Sequence, residues 1–191
     1  MRVFRSVLAV GVLALLAAPA RAQEKFATAE LRAGYGVTLG DAKDSLQAST
    51  MFGAGAAIAV TQRLKLGFSV DFGSHESKPL VDPLREWRVF HAFLRLAYNI
   101  VDVPQWTVGI NAGPGIMGFS PNDEIRNAEG IGSEVHFAAN VGGTITYWFT
   151  ERIGLLLSPQ LNIAFKKSTG NIFFDKTGMF APMTGGLQFK I

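Results

Sequence analysis

Apolar residues alternate with small or polar residues along long stretches of this chain, and that period of two limits its fold more than any other feature. In residues 64–72 every second side chain is apolar, and Lys, Gly, Ser and Asp fill the positions between. Residues 153–165 follow the same rule. Because successive side chains of a β-strand point to opposite faces, the pattern predicts long strands with one apolar face.

Eight such segments follow one another, and most of them hold 10 residues or more. Strands in ordinary globular proteins average about 5–6 residues, whereas a tilted strand needs about 9–11 residues to cross a bilayer. The lengths therefore indicate strands that cross a membrane. The predicted segments are residues 29–40, 51–60, 64–73, 88–98, 106–117, 134–149, 153–166 and 179–191.

The connections between these segments are alternately long and short. Those after the second, fourth and sixth segments are short, covering residues 61–63, about 99–105 and 150–152. The others are long and polar, as in residues 74–86 and 120–133. Outer-membrane barrels have this asymmetry, with short periplasmic turns and longer outside loops. The sequence thus predicts an all-β fold, an eight-stranded antiparallel up-and-down transmembrane β-barrel.

The composition of the second face separates a membrane barrel from a soluble one. A soluble barrel of the lipocalin type turns its apolar face inward and covers its outside with Lys and Glu. Here the second face is mostly Gly, Ala, Thr, Ser and Asn, which suits a narrow lumen. Aromatic residues mark both ends of the apolar face, as at two membrane interfaces. They are Tyr98, Trp106, Tyr147, Phe149 and Phe189 at one end and Phe72, Phe90 and Phe165 at the other. A soluble periplasmic ligand-binding barrel stays open as an alternative.

The first residues have the layout of a secretory signal peptide. Arg2 and Arg5 precede an apolar run over residues 7–18, and Ala20-Arg21-Ala22 forms a small-x-small cleavage site. The apolar run is short for a transmembrane helix. We therefore predict a signal peptide over residues 1–22 and an outer-membrane barrel domain over residues 23–191.

Cleavage changes the charge balance of the chain. Removing Arg2, Arg5 and Arg21 from the 18 basic residues leaves 15, which equals the 15 acidic residues. A neutral mature chain gives no indication of nucleic-acid binding. The absence of cysteine excludes disulfides, thiolate metal sites and cysteine nucleophiles.

On these features the chain resembles the small eight-stranded outer-membrane β-barrel proteins of the OmpA/OmpX type. The signal ending in Ala20-Arg21-Ala22, the eight alternating segments and the last residues, 185–191, carry the resemblance. It implies a location in the outer membrane of a Gram-negative bacterium, with contacts to membrane lipid and lipopolysaccharide. It also implies that Phe189 and Ile191 form a sorting signal read by the barrel-assembly machinery. The family usually ends on an aromatic residue, and this chain ends on Ile191.

The charged residues of the second face are predicted to form a polar network in the lumen, whose main role is to fill and neutralise it. Two pairs are expected to lie close together, Asp71 with His91 and Glu30 with Lys190. Phe93 and Trp148 should block much of the bore, whereas His75 is expected in a solvated loop. The predicted network consists of Glu30, Arg32, Lys65, Asp71, His91, Arg95, Glu134, His136 and Lys190.

The function indicated is an integral membrane barrel with a structural or surface-loop binding role, not an enzyme and not a general porin. The last long loop could contact lipopolysaccharide phosphates or a partner surface through Lys166, Lys167, Phe173, Phe174 and Lys176. No catalytic residue, metal ligand or cofactor is predicted. Two alternatives stay open: a narrow channel or carrier of small apolar molecules, and a lipid A-modifying enzyme.

Overall fold

A computed structural model describes residues 27–40, 42–77, 86–121, 133–165 and 177–191. These residues form eight strands and one short helix, α1 (Ala42–Ser45). The strands are β1 (Ala27–Gly40), β2 (Ser49–Ala59), β3 (Leu64–Glu76), β4 (Glu86–Val103), β5 (Trp106–Pro121), β6 (Glu134–Trp148), β7 (Ile153–Phe165) and β8 (Thr177–Lys190). Each contains one of the predicted alternating segments almost completely.

The eight strands close into a single barrel in which every strand pairs antiparallel with its neighbours in the chain. The first and last strands complete the ring, with Ala29 opposite Phe189 and Thr38 opposite Phe180. Closure pairs the backbone groups that an open sheet would leave free at its edges. The predicted fold class, an eight-stranded antiparallel up-and-down barrel, is confirmed.

Strand β4 runs further than the sequence pattern indicates. It ends at Val103, so that only two residues separate it from Trp106 of β5. The pairing with β5 shifts register between Asn99 and Val101, where a β-bulge inserts an extra residue. Both Ile100 and Val101 are consequently exposed. Two consecutive outward residues break the period of two, which is why the sequence suggested a longer turn.

The first connection folds into the mouth of the barrel at the end that carries the long loops. Helix α1 is followed by Leu46, which is fully buried and forms a bridge with Ser77. The Gln47 N–H donates to Glu76 O at 2.8 Å, and the Thr38 hydroxyl donates to Leu46 O at 2.8 Å. Strand β3 therefore extends to Glu76 and carries His75 inward, where it is fully buried. The expectation of a solvated His75 was wrong.

The outside of the barrel is apolar and its inside is polar over much of its length. Exposed outward side chains include Leu31, Phe52 and Phe137, at 61%, 64% and 63%. Trp106 packs against Tyr147 near the short turns, and Phe137 stacks on Phe165 near the long loops. No helix in the described ranges is long and apolar enough to cross a membrane. An apolar belt of this extent around a closed sheet requires lipid, so the barrel spans a membrane.

Candidate functional site

A network of buried charges crosses the middle of the lumen. Arg32 on β1 donates from Nη1 to Glu30 Oε1 at 2.8 Å and from Nη2 to Asp71 Oδ1 at 2.7 Å. Arg95 on β4 donates to the same Glu30 oxygen at 2.9 Å and, from Nε, to Asn111 Oδ1 at 3.2 Å. The two guanidinium groups balance the two carboxylates. Four strands are thereby linked through their side chains.

Glycines on β2 make room for this network. Gly53 lies opposite Arg32, and Gly55 lies opposite Glu30 in the register of β1 and β2. A Cβ atom at Gly53 would collide with the Asp71 carboxylate, and one at Gly55 would lie 2.7 Å from Glu30 Oε1. The small residues of the second face therefore occupy the positions where long charged side chains from neighbouring strands need space.

The expected Asp71–His91 pair does not form, although the two residues lie opposite each other on β3 and β4. Asp71 accepts instead from Arg32, because a charged guanidinium is a stronger partner than a neutral ring. His91 Nδ1 lies 2.7 Å from Asn162 Nδ2, on the far side of the bore. Because the Asn162 amide nitrogen can only donate, this bond fixes the proton of a neutral His91 on Nε2.

A chain of amide side chains continues from His91 across β6 and β7. Asn140 Nδ2 donates to Asn162 Oδ1 at 2.5 Å and to Gln160 Oε1 at 2.8 Å. Gln160 Nε2 donates to Ser158 Oγ at 2.7 Å and to Gly143 O at 3.4 Å. The pairing of β6 with β7 is interrupted beside Pro159, which has no N–H to offer, and a side chain supplies the missing donor. The amides share the inward-facing positions of their strands, but the alternation in the sequence does not predict that they bond to one another.

The end of the lumen nearest the long loops is filled by an apolar cluster around Phe180. The Phe180 ring lies 5.8 Å from Phe119, 5.7 Å from His75 and 5.6 Å from His91, measured between ring centroids. Further members are Ala42, Leu46, Trp87, Val89, Phe93, Met117, Ala138 and Ala164, all buried. We call this group, with Phe119 and Phe180, the Phe180 cluster.

Glu134 and His136 form a separate pair beside the Phe180 cluster. His136 Nε2 lies 3.2 Å from Glu134 Oε2, and its Nδ1 lies 3.1 Å from Phe165 O. His136 also packs edge-on against Phe119 at 5.6 Å. These two members of the predicted network therefore lie apart from the arginine network and near the long-loop end.

The expected Glu30–Lys190 pair is also absent. Lys190 Nζ lies 4.1 Å from the ring centre of Trp148, a cation–π contact. Glu30 is already engaged by Arg32 and Arg95, which reach it from the lumen interior. Trp148 points inward and donates from Nε1 to the Thr107 hydroxyl at 2.9 Å. Phe93 and Trp148 both narrow the bore as anticipated, each being buried.

The remaining predicted lumen residue, Lys65, faces a small polar cavity near the short turns. Its lining includes Thr28, Glu30, Arg95, Thr107 and Gln188. The cavity volume is about 50 Å³, room for about four water molecules. Within the described ranges no cluster of three His, Cys, Asp or Glu side chains could hold a metal ion. The loop residues Lys166, Lys167, Phe173, Phe174 and Lys176 and the signal segment lie outside the described residues.

A closed eight-stranded barrel with an apolar belt outside and a polar lumen defines the fold of the small outer-membrane β-barrel proteins. The chain is similar to the crystal structure of Neisserial surface protein A at 13% identity, covering 86% of this chain and 97% of that one, with a TM-score of 0.65. It is also similar to a major outer membrane protein of Thermus thermophilus, at 11% identity with 88% and 100% covered and a TM-score of 0.58. The N-terminal barrel domain of Pseudomonas aeruginosa OprF matches at 15% identity, 85% and 97% covered, with a TM-score of 0.51. No protein-family model and no curated protein matches the sequence.

Proposed function

We propose that this chain is an integral outer-membrane protein of a Gram-negative bacterium that has a structural or surface-binding role and is closed to general solute passage. The observation that carries the proposal is the filling of the lumen. Paired charges cross its middle, and the Phe180 cluster occupies the end nearest the long loops.

Barrel size supports the same conclusion. Eight strands enclose an interior just wide enough for side chains, whereas aqueous pores have about 16–18 strands. Arg32 and Arg95 hold a shared carboxylate from two strands, so neither is free to swing aside without leaving a buried charge unpaired. A barrel closed in this way fixes the strand ends from which its long loops begin.

Conductance in planar bilayers tests the proposal. The folded barrel should give little or no steady current and should not admit small sugars into liposomes. A sixteen-stranded porin, inserted under the same conditions, shows that the assay detects open pores. Large, stable current steps from the monomeric protein would contradict closure and place the channel hypothesis first.

The polar cavity near Lys65 favours a narrow channel as the second candidate. For such a channel to conduct, both the arginine network and the Phe180 cluster would have to part. Comparing the parent with Phe180→Ala in the same bilayers separates the two hypotheses. A closed barrel gives current only in the variant, if at all, and a gated channel gives brief openings in the parent.

The surface role would fall to the long loops. We propose that Lys166, Lys167 and Lys176, with Phe173 and Phe174, contact lipopolysaccharide phosphates and acyl chains. Replacing the three lysines by Gln should weaken binding of purified lipopolysaccharide to the folded protein on the order of a hundredfold, since each lost cation removes about 1 kcal/mol near an anionic surface. Arg63→Gln with Arg152→Gln, in the short turns, is the matched control. Equal loss in both variants would rule out a loop-specific contact.

Secretion and assembly complete the proposal. Cleavage after Ala22 should leave Gln23 as the first residue of protein isolated from outer membranes, as N-terminal sequencing can show. Retention of Met1 would contradict a cleaved signal.

Phe189 faces outward on β8, and Ile191 donates its N–H to Ala27 O at 2.8 Å, so the proposed sorting signal also closes the barrel.

The non-enzymatic role is tested by mass spectrometry of lipid A from cells with and without the protein. The two lipid A samples should be identical.

A further inference from the structure

Lys65 differs from the other cations of the lumen in having neither a carboxylate nor an aromatic ring as its partner. It is the second residue of β3, beside a short turn, and its side chain lines the polar cavity. Arg32 and Arg95 are paired with carboxylates, and Lys190 lies over Trp148. Within the described part of the chain, the Lys65 ammonium makes no ion pair and no hydrogen bond.

The carboxylates near Lys65 are committed elsewhere. Glu30 Oε1 accepts from both arginines. The two oxygens of Asp102, the second-last residue of β4, accept from Asn99 Nδ2 and from the Thr107 hydroxyl, each at 3.2 Å. A lysine that could reach a free carboxylate would lower its free energy by doing so. Its ammonium instead faces the cavity.

The charges at this level of the lumen also leave one cation without a balancing carboxylate. Arg32, Arg95 and Lys65 supply three positive charges, and Glu30 and Asp71 supply two negative charges. Asp102 and Lys190, nearer the rim, add one charge of each sign and leave this difference unchanged. The interior therefore has one positive charge in excess, in a space largely removed from bulk water, where an unbalanced charge is costly.

The cavity also offers hydrogen-bond donors and a defined size. Thr28 and Thr144, which carry hydroxyl groups, line it together with Lys65, and the short side chains of Ala57 and Ala97 leave the central space open. A volume of about 50 Å³ accepts a chloride or an anion of similar size, and excludes sugars and nucleotides.

We propose that this cavity binds one small inorganic anion, with Lys65 as its charge partner and threonine hydroxyls as additional donors. The anion balances the excess charge and completes the polar half of the lumen. The site exists whether or not the barrel conducts.

Chloride-35 line broadening on the folded barrel in a neutral detergent tests the proposal. The parent should broaden the chloride signal, and Lys65→Met should reduce its affinity on the order of tenfold or more, as expected for loss of a charged hydrogen-bond donor. Lys43→Met is the matched control, because it removes an exposed lysine of helix α1, at the opposite end of the barrel. Equal broadening by the parent and Lys65→Met would overturn the proposal.

Bromide locates the ion independently. Crystals grown in sodium bromide should show an anomalous peak between Lys65 and the threonine hydroxyls. If Lys65→Met does not fold, Thr144→Val replaces it, with the same expected weakening of bromide and chloride binding. Peaks confined to the outer surface, with water alone in the cavity, would overturn the proposal.

Discussion

The two halves of the lumen are filled by different kinds of side chain, which are held by different interactions. Near the short turns and in the middle, charged and amide side chains form a hydrogen-bonded network that includes Arg32, Arg95 and Glu30. Near the long loops, Phe119 and Phe180 pack with buried aliphatic side chains and with the edges of His75 and His91. Both halves lie within one closed sheet, so the difference comes from its inward-facing residues and from Ala42 and Leu46 of the first connection.

The two halves should respond differently to amino-acid substitution. A polar network is stable only when every member keeps its partner, because an orphaned buried charge costs far more than the pair contributes. An apolar cluster loses energy in proportion to the space left empty, and neighbouring side chains can partly refill it. The polar half should therefore be sensitive to single substitutions and repairable by paired ones.

Arg32→Met is expected to have the largest effect. It leaves Asp71 unpaired and removes one partner of Glu30, and breaking a buried pair in this way costs about 3–5 kcal/mol. Urea unfolding of the barrel in lipid vesicles measures the loss. The double variant Arg32→Met with Asp71→Leu should recover part of it. A double variant as unstable as the single one would show that charge pairing is not the cause.

Phe180→Ala should be next in size. The side chain is fully buried, and its removal opens a cavity between Phe119 and two histidines, at a cost of about 3–4 kcal/mol. The same unfolding assay applies. Phe180→Leu, which keeps most of the volume, should cost less than about 1.5 kcal/mol. If the two variants lose equal stability, the cluster is not held by packing.

Leu155→Arg extends the comparison to the outer face. This side chain is 58% exposed on the outside of β7, so a charge there meets lipid and destabilises the barrel by about 2–4 kcal/mol. Gln62→Arg, in a short turn, is the control and should change stability little. An unchanged unfolding free energy in vesicles for Leu155→Arg would mean that the apolar belt does not contact the bilayer core.

Gly53→Ala should have the smallest effect of the four. The new methyl group collides with the Asp71 carboxylate, and the arginine network must shift at a cost of about 1–3 kcal/mol. Gly185→Ala is the matched control, because a Cβ there meets only Leu156 O at 3.5 Å. Equal effects of the two changes on unfolding would remove the steric explanation for the glycines of β2.

The number of strands, their lengths and the direction of each face were determined by the sequence itself. These properties depend on a period of two, which is local, and on connections whose lengths alternate. The alternation failed where the bulge at Asn99 and Val101 inserted a residue. It also failed where β3 continued into residues that the pattern assigned to a loop, because Leu46 and Gln47 pair with Ser77 and Glu76 only in the folded chain.

The pairing inside the lumen was decided by the tertiary structure. Asp71 binds Arg32, which is 39 residues away, and Glu30 binds Arg95, which is 65 residues away. The alternation in the sequence places these side chains on the inner face, but it does not predict which of them are in contact. The distances across the bore depend on the shear and tilt of all eight strands together, and only closure of the barrel fixes those.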